Sequence, residues 1–372
     1  MRHTAAVSAG AALLTTALVA LLVTSAAAHD AGSTVRTEEW ALGALEVPQA
    51  WEETRGRGVT VAVLDTGVDG RHPDLAGQVV QGPDLTGVRG GGGRHGTAMA
   101  GLIAGHGHGP GRDNGIVGIA PEARILSVRV TLENDDPRRA DPAVISRLRG
   151  AVAGGIRYAV DHGAQVISMS LGAGSGSYQG SPAEVDAIQY ALDRGVVLVA
   201  SSGNDGAGAN RRNFPAAYPG VIAVGAVDRL LRPAAFSNRH DYLSVVAPGM
   251  AIVSADGHDA YVQGDGTSSA AALVAGVAAL VRARHPELSG AEVRRAIQAG
   301  TLRRPQSGRD DAYGHGVVNA RLALRAAATL RPRPATHGEG PDKAITAALV
   351  GLAVAMATRV RRRPGRHLAA RR

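Results

Sequence analysis

Val59-Thr-Val-Ala-Val-Leu64 runs directly into Asp65-Thr66-Gly67. A short β-prone, mostly apolar run with no regular polar alternation is the pattern of a strand buried on both faces, as in a parallel sheet. The acid, hydroxyl and glycine behind it mark a loop at the strand's carboxyl end. Similar runs recur at 123–130, 164–170, 196–201 and 221–227. Helix-like stretches at 143–162 and 182–194 separate several of them. Alternating strands and helices imply right-handed βαβ units. The fold class is therefore α/β, with a mostly parallel central sheet covered on both faces. In such sheets functional residues gather in the loops after the strands. Asp65, Ser170 and the Ser202-Gly203-Asn204 triplet hold that position. No internal repeat or second domain interrupts the pattern.

The chain has 372 residues, 3% of them aromatic, and 50 glycines. Its core must be built chiefly from Ala, Val, Leu and Ile. It has no cysteine, which excludes disulfides, a thiol nucleophile, Cys-based zinc sites and iron–sulfur clusters. The net charge is +8, but seven arginines and no acid lie in residues 359–372, so the remainder stands at +1. A nearly neutral body with a short basic tail gives no reason to expect a nucleic-acid partner.

The two ends suggest a destination. Arg2 and His3 precede an apolar run over 5–23, followed by Ser25-Ala-Ala-Ala28. This is the layout of a signal peptide over 1–28, cleaved after Ala28. Residues 344–358 carry no charge. Fifteen helical residues reach only about 22 Å, short of the ~20 residues that usually span a bilayer. Lys343 and Arg359 can snorkel and extend that reach. The arginines that follow fit the cytoplasmic side of a membrane. The expected order is an N-terminal extension at 29–57, the main α/β domain at 58–328 and a Pro-rich linker at 329–343. A transmembrane helix at 344–360 and a basic cytoplasmic tail at 361–372 complete it. The body is then extracytoplasmic and anchored by a single pass.

Peptide hydrolysis by serine needs a histidine to take the hydroxyl proton, a carboxylate to orient that histidine, and donors for the oxyanion. Asp65 ends a strand. His95 opens His95-Gly-Thr-Ala-Met-Ala-Gly101, where small residues can start a buried helix. Ser268 lies in Gly266-Thr-Ser-Ser-Ala270, at the head of an apolar helix whose N-terminus favours developing negative charge. Taken singly, each has an ordinary explanation as a turn, core or capping residue. The order Asp, His, Ser along the chain is the order of subtilisin-type triads.

At these motifs, V-A-V-L-D-T-G, H-G-T-A-M-A-G and G-T-S-S-A-A, the sequence resembles the subtilases. Val199-Ala-Ser-Ser-Gly-Asn204-Asp-Gly is similar to the family segment whose asparagine donates to the oxyanion. Ser168-Met-Ser170-Leu171-Gly172 resembles the strand that pairs with substrate backbone. The resemblance implies a subtilisin-like three-layer domain with Asp65, His95 and Ser268 as its triad. It assigns Asn204 and the Ser268 N–H to the oxyanion hole, and Ser170, Leu171 and Gly172 to flanking a bound protein or peptide substrate. No cofactor and no metal are expected. Ser269 and Ala272 depart from the family's usual Met or Phe and Pro, which leaves pocket shape open.

About 30 residues separate Ala28 from Gly58, too few for a foldable inhibitory pro-domain, and Trp40 to Trp51 looks like the start of the body. With the anchor and tail, this layout resembles the mycosins, proteases associated with type VII secretion. Mycobacterial members usually carry cysteines, and this chain has none. The resemblance implies two roles, cleaving a secreted substrate and stabilising the secretion complex. Gly105-His-Gly-His-Gly109 offers two alternating histidines without a third ligand nearby, and a flexible glycine loop is expected there. Glu133-Asn-Asp-Asp-Pro-Arg-Arg139 reads as a solvated loop or a substrate rim.

Overall fold

The computed structural model describes residues 35–90, 93–172 and 180–330. The expected signal peptide, transmembrane helix and basic tail lie outside the described residues, as does the linker beyond residue 330. Among the described residues no helix is long and apolar enough to cross a membrane.

Among the described residues thirteen strands occur in chain order: β1 (Thr60–Asp65), β2 (Val79–Asp84), β3 (His106–His108), β4 (Asn114–Val117), β5 (Arg124–Arg129), β6 (Val166–Met169), β7 (Val197–Ser201), β8 (Ile222–Val227), β9 (Leu243–Pro248), β10 (Ile252–Asp256), β11 (Ala260–Gly264), β12 (Thr301–Leu302) and β13 (Val317–Val318). The helices are α1 (Trp40–Ala44), α2 (Val47–Ala50), α3 (Arg94–Ala104), α4 (Pro142–Asp161), α5 (Pro182–Asp193), α6 (Thr267–Arg284), α7 (Gly290–Ala299) and α8 (Ala320–Thr329). Nine strands form one sheet in the order β12-β13-β9-β8-β7-β6-β1-β5-β2. All its pairs are parallel except β12 with β13.

Strand β1 shows why the sheet is covered on both faces. Val61 and Val63 belong to one core cluster, with α3, α6, α7 and α8. Ala62 and Leu64 belong to the other, with α4 and α5. Side chains alternate across a strand, so a continuous apolar run must fill two cores. Strand β1 also sits where the connections diverge, with β5 on one side and β6 on the other. Ligands in open α/β sheets bind at such switch points, beyond the carboxyl ends of the strands.

Helices α4 and α5 begin where the sequence supplies caps. Asp141 accepts from Ala143 N–H at the head of α4, and Ser181 from Glu184 N–H at the head of α5. Helix α6 differs. It has no side-chain cap, and it is buried along Thr267 and every residue from Ala270 to Val281. An Ala-rich helix that is apolar all round belongs inside the protein.

Residues 40–51 pack as a start of the body, as their sequence suggests, whereas residues 105–109 differ from their reading. Residues 40–51, within the expected extension, put Leu45, Val47 and Ala50 into the main core. Trp51 Nε1 donates to the Ile119 carbonyl at 2.8 Å. The body therefore begins well before Gly58. The expected flexible loop at 105–109 contains β3, which pairs with β4. The buried Asp74 carboxylate organises it: Oδ1 lies 2.6 Å from His108 Nδ1, and Oδ2 accepts from Ile116 N–H and Tyr261 OH, both at 2.9 Å.

Candidate active site

Asp65 closes β1 and is 1% exposed. Its Oδ1 accepts from the Thr66 N–H at 2.7 Å and lies 2.7 Å from His95 Nδ1. A carboxylate on Nδ1 fixes the tautomer, with the proton on Nδ1 and Nε2 left as the base. His95 is the second residue of α3 and half-buried. Burial is the largest single influence on its pKa and acts downward. The Asp65 charge and hydrogen bond, with the Glu133 charge, outweigh it and hold the imidazole above its ordinary range.

The glycine after the histidine is explained by close approach, to backbone rather than to the imidazole. A Cβ on Gly96 would lie 2.0 Å from the Gly67 carbonyl oxygen and 3.3 Å from Asp65 Cβ. Only glycine lets the α3 backbone lie against the Asp65-Thr66-Gly67 turn. The Gly96 N–H then reaches Thr66 Oγ1 at 3.1 Å, and Thr97 Oγ1 accepts the Asp69 N–H at 2.8 Å. These bonds lock the histidine's helix to the aspartate's strand.

The charged 133–139 loop lies against the same helix. Glu133 Oε1 accepts the His95 N–H at 3.3 Å, one of the free donors of a helix's first turn. Arg94 pairs with Asp135 at 2.8 Å.

Ser268 is the second residue of α6 and half-buried. Two strand ends reach it. From β6, the buried Ser170 hydroxyl donates to the Ser268 carbonyl at 2.9 Å. Leu171 is half-buried and Gly172 exposed beyond it. From β7, the exposed Asn204 turns Oδ1 toward α6, accepting from Thr267 N–H at 2.9 Å and Thr267 Oγ1–H at 2.8 Å. That leaves Nδ2 facing the other way. The point where a Cβ on Gly266 would sit is 3.6 Å from Asn204 Nδ2 and 3.7 Å from Ser268 N. The two nitrogens therefore lie on the same side of Gly266, beside the serine.

Asp65 and His95 are thus in direct contact. Asn204, Ser170 and Ser268 are joined through α6. Sequence reasoning gave no role to Thr267 and placed Glu133 only in a solvated loop or substrate rim, not beside His95. Thr267 stood inside a quoted motif, but its hydroxyl's target lies 63 residues away. Among the described residues no group of three or more His, Asp or Glu is placed to hold a metal.

Comparison with known proteins places the chain in a family. Residues 56–316 match the family described as the subtilase family. Thermitase of Thermoactinomyces vulgaris is 38% identical over 286 residues, covering 76% of this chain and 94% of its own. Fervidolysin of Fervidobacterium pennivorans is 36% identical over 333 residues, covering 80% of this chain, which spans only 45% of fervidolysin's length. Among solved structures, MycP1 from Mycobacterium smegmatis superposes with a TM-score of 0.65 at 30% identity, covering 81% of this chain and 89% of its own. MycP1 is described as coming from the ESX-1 type VII secretion system. With strand order, site geometry and sequence in agreement, the chain belongs to the subtilase family, the subtilisin-like serine proteases.

Proposed function

We propose that the chain is an extracytoplasmic serine endopeptidase, anchored by one helix over 344–360 and working with a type VII secretion complex. The observation that carries the catalytic part is the 2.7 Å contact between Asp65 Oδ1 and His95 Nδ1. Asn204 Nδ2, turned toward the side of Ser268 N, supports it. Ser268 Oγ attacks the scissile carbonyl and His95 Nε2 takes its proton. Asp65 stabilises the imidazolium, and Asn204 Nδ2 and the Ser268 N–H hold the oxyanion. The leaving amine takes the proton from His95, and water then hydrolyses the acyl-enzyme with His95 again as base. Ser170, Leu171 and Gly172 flank the bound peptide.

The anchoring rests on the uncharged 344–358 stretch and the arginines behind it. The secretion role rests on likeness to MycP1. The test is labelling of the full chain, purified in detergent, with a small fluorophosphonate. Labelling at Ser268 that disappears in Ser268→Ala is expected. A folded protein that stays unlabelled refutes the catalytic reading. The MycP1 likeness also supports a second role, stabilising the secretion complex without proteolysis. Cells carrying Ser268→Ala should then secrete where cells lacking the chain do not, and equal loss in both removes that role.

A further inference from the structure

We infer that Trp40 is a positioning residue for turnover: its indole N–H props the loop on which the turn before Ser268 rests. This builds on the reading of Ser268 as the nucleophile and Asn204 as an oxyanion donor.

Strands β10 and β11 form a hairpin whose pairing ends at Ile252 and Gly264. Ala251 and Asp265 stand just beyond that pair, and Asp265 lies three residues before Ser268. The Ala251 N–H clasps the open end by donating to Asp265 Oδ1 at 2.7 Å. Beside it, the Gly266 N–H donates to the Gly249 carbonyl at 2.8 Å. The 249–251 loop thus holds both residues that lead into Thr267 and Ser268. The N–H groups of those two come next in the chain. That of Thr267 restrains Asn204 Oδ1, and that of Ser268 is the second donor of the proposed oxyanion site.

The loop needs support from outside. Ala251 has a φ of 51°, in the left-handed region that a residue with a Cβ rarely adopts. Such a conformation persists where the surroundings impose it. Trp40 imposes it here: its Nε1–H donates to the Ala251 carbonyl at 3.1 Å, across 211 residues of chain. The exposed Gln263 reaches the same oxygen only at 3.5 Å, too long to hold it firmly.

The indole is itself well held. Trp40 is half-buried and packs against the main core. Just before it, Arg36 Nε donates to the Gly115 carbonyl at 2.9 Å, and Glu39 Oε1 accepts the Val117 N–H at 2.8 Å. The Arg229 guanidinium carbon lies 5.5 Å from the ring centroid. A segment fastened to β4 and its turn therefore braces the nucleophile's turn. Without the brace, Asp265 and Gly266 can shift, and the Thr267 and Ser268 N–H groups shift with them. Misplaced oxyanion donors slow the chemical step and leave ground-state binding along β6 unchanged.

The test uses the full chain in detergent and one peptide substrate, with active sites counted by a small fluorophosphonate. Trp40→Phe keeps an aromatic ring and removes the N–H. Its kcat per labelled site should fall ~5-fold, the worth of one neutral hydrogen bond, while KM hardly moves. Asp265→Ala should also lower kcat, and Asp265→Asn, which keeps an acceptor for the Ala251 N–H, should stay near wild type. Trp40→Phe should cost nothing further once Asp265 is alanine. A wild-type kcat in Trp40→Phe overturns the inference, even where its urea midpoint falls, because Trp40 then serves stability alone. A double variant whose loss is the product of the two single losses overturns it too. If Trp40→Phe does not fold, an Asp265→Ala protein with wild-type kcat is sufficient to overturn it. Absence of labelling in folded wild type removes the protease reading itself, and this inference with it.

Discussion

Replacing Thr267 with valine removes one hydroxyl and little else. That hydroxyl donates to Asn204 Oδ1 at 2.8 Å and accepts the Gly203 N–H at 3.2 Å. The Thr267 backbone N–H donates to the same Asn204 oxygen at 2.9 Å. Valine thus leaves Asn204 with one of these two restraints and removes the acceptor of the Gly203 N–H. A neutral hydrogen bond contributes ~1 kcal/mol net, whereas losing a whole oxyanion donor raises the barrier by roughly 2.7–4 kcal/mol. Thr267→Val should therefore sit well short of Asn204→Ala, at about 1 kcal/mol, or roughly a fivefold fall in kcat. KM should hardly move, because the ground-state carbonyl gains little from Asn204. Steady-state kinetics on one peptide substrate would be compared across wild type, both single variants and the double variant. The fivefold cost should appear only while Asn204 is present. An equal fall in both backgrounds, or a wild-type kcat in Thr267→Val, refutes the claim that Thr267 acts by orienting Asn204.

Three further predictions follow from the same contacts. Glu133→Gln keeps an acceptor for the His95 N–H and removes a charge that favours the imidazolium, so neutral His95 persists to lower pH. The acid limb of the kcat/KM profile should move to lower pH, and an unmoved limb would show that the charge is not felt. Burial pushes Glu184 up to about 7 from an ordinary 4.5, against the Tyr218 hydrogen bond that favours its ionised form. The unfolded chain loses that proton first, so the group costs stability progressively as pH rises from about 4.5 to about 7. Glu184→Gln should match wild type in acid and exceed it by up to ~3 kcal/mol at neutral pH; parallel urea-midpoint curves across pH would reject this. Gly96→Ala forces a Cβ to 2.0 Å from the Gly67 oxygen. It should cost roughly 3 kcal/mol or more by urea unfolding and weaken fluorophosphonate labelling, and a wild-type midpoint would contradict the packing argument.

The strands at 60–65, 124–129, 166–169, 197–201 and 222–227 were legible because each is buried on both faces and needs an unbroken apolar run. Strand β2, Val-Val-Gln-Gly-Pro-Asp, was not. It lies at the sheet's edge, half-exposed, where glycine and proline are tolerated. Strands β12 and β13 have two residues each and carry no periodic signal. Asp65, His95, Ser268 and Asn204 were read together from their order along the chain and from the likeness of their motifs to those of the subtilases. Thr267, Glu133 and Trp40 act through contacts between residues 38 to 63 apart for the first two and 211 apart for the third. No local pattern records such contacts, so they emerge only once the loops are placed.

Helix α6 also governs how the protein fails. Thirteen of its 18 residues are buried, and its head is tied to β6 by Ser170 and to the end of β7 by Asn204. Such a segment has no cheap local opening; releasing it means dissolving the main core. Heat should therefore not loosen the serine before the rest. The temperature at which catalysis disappears and the temperature at which circular dichroism collapses should be the same, and a turnover assay on this protein doubles as a thermometer of its folding.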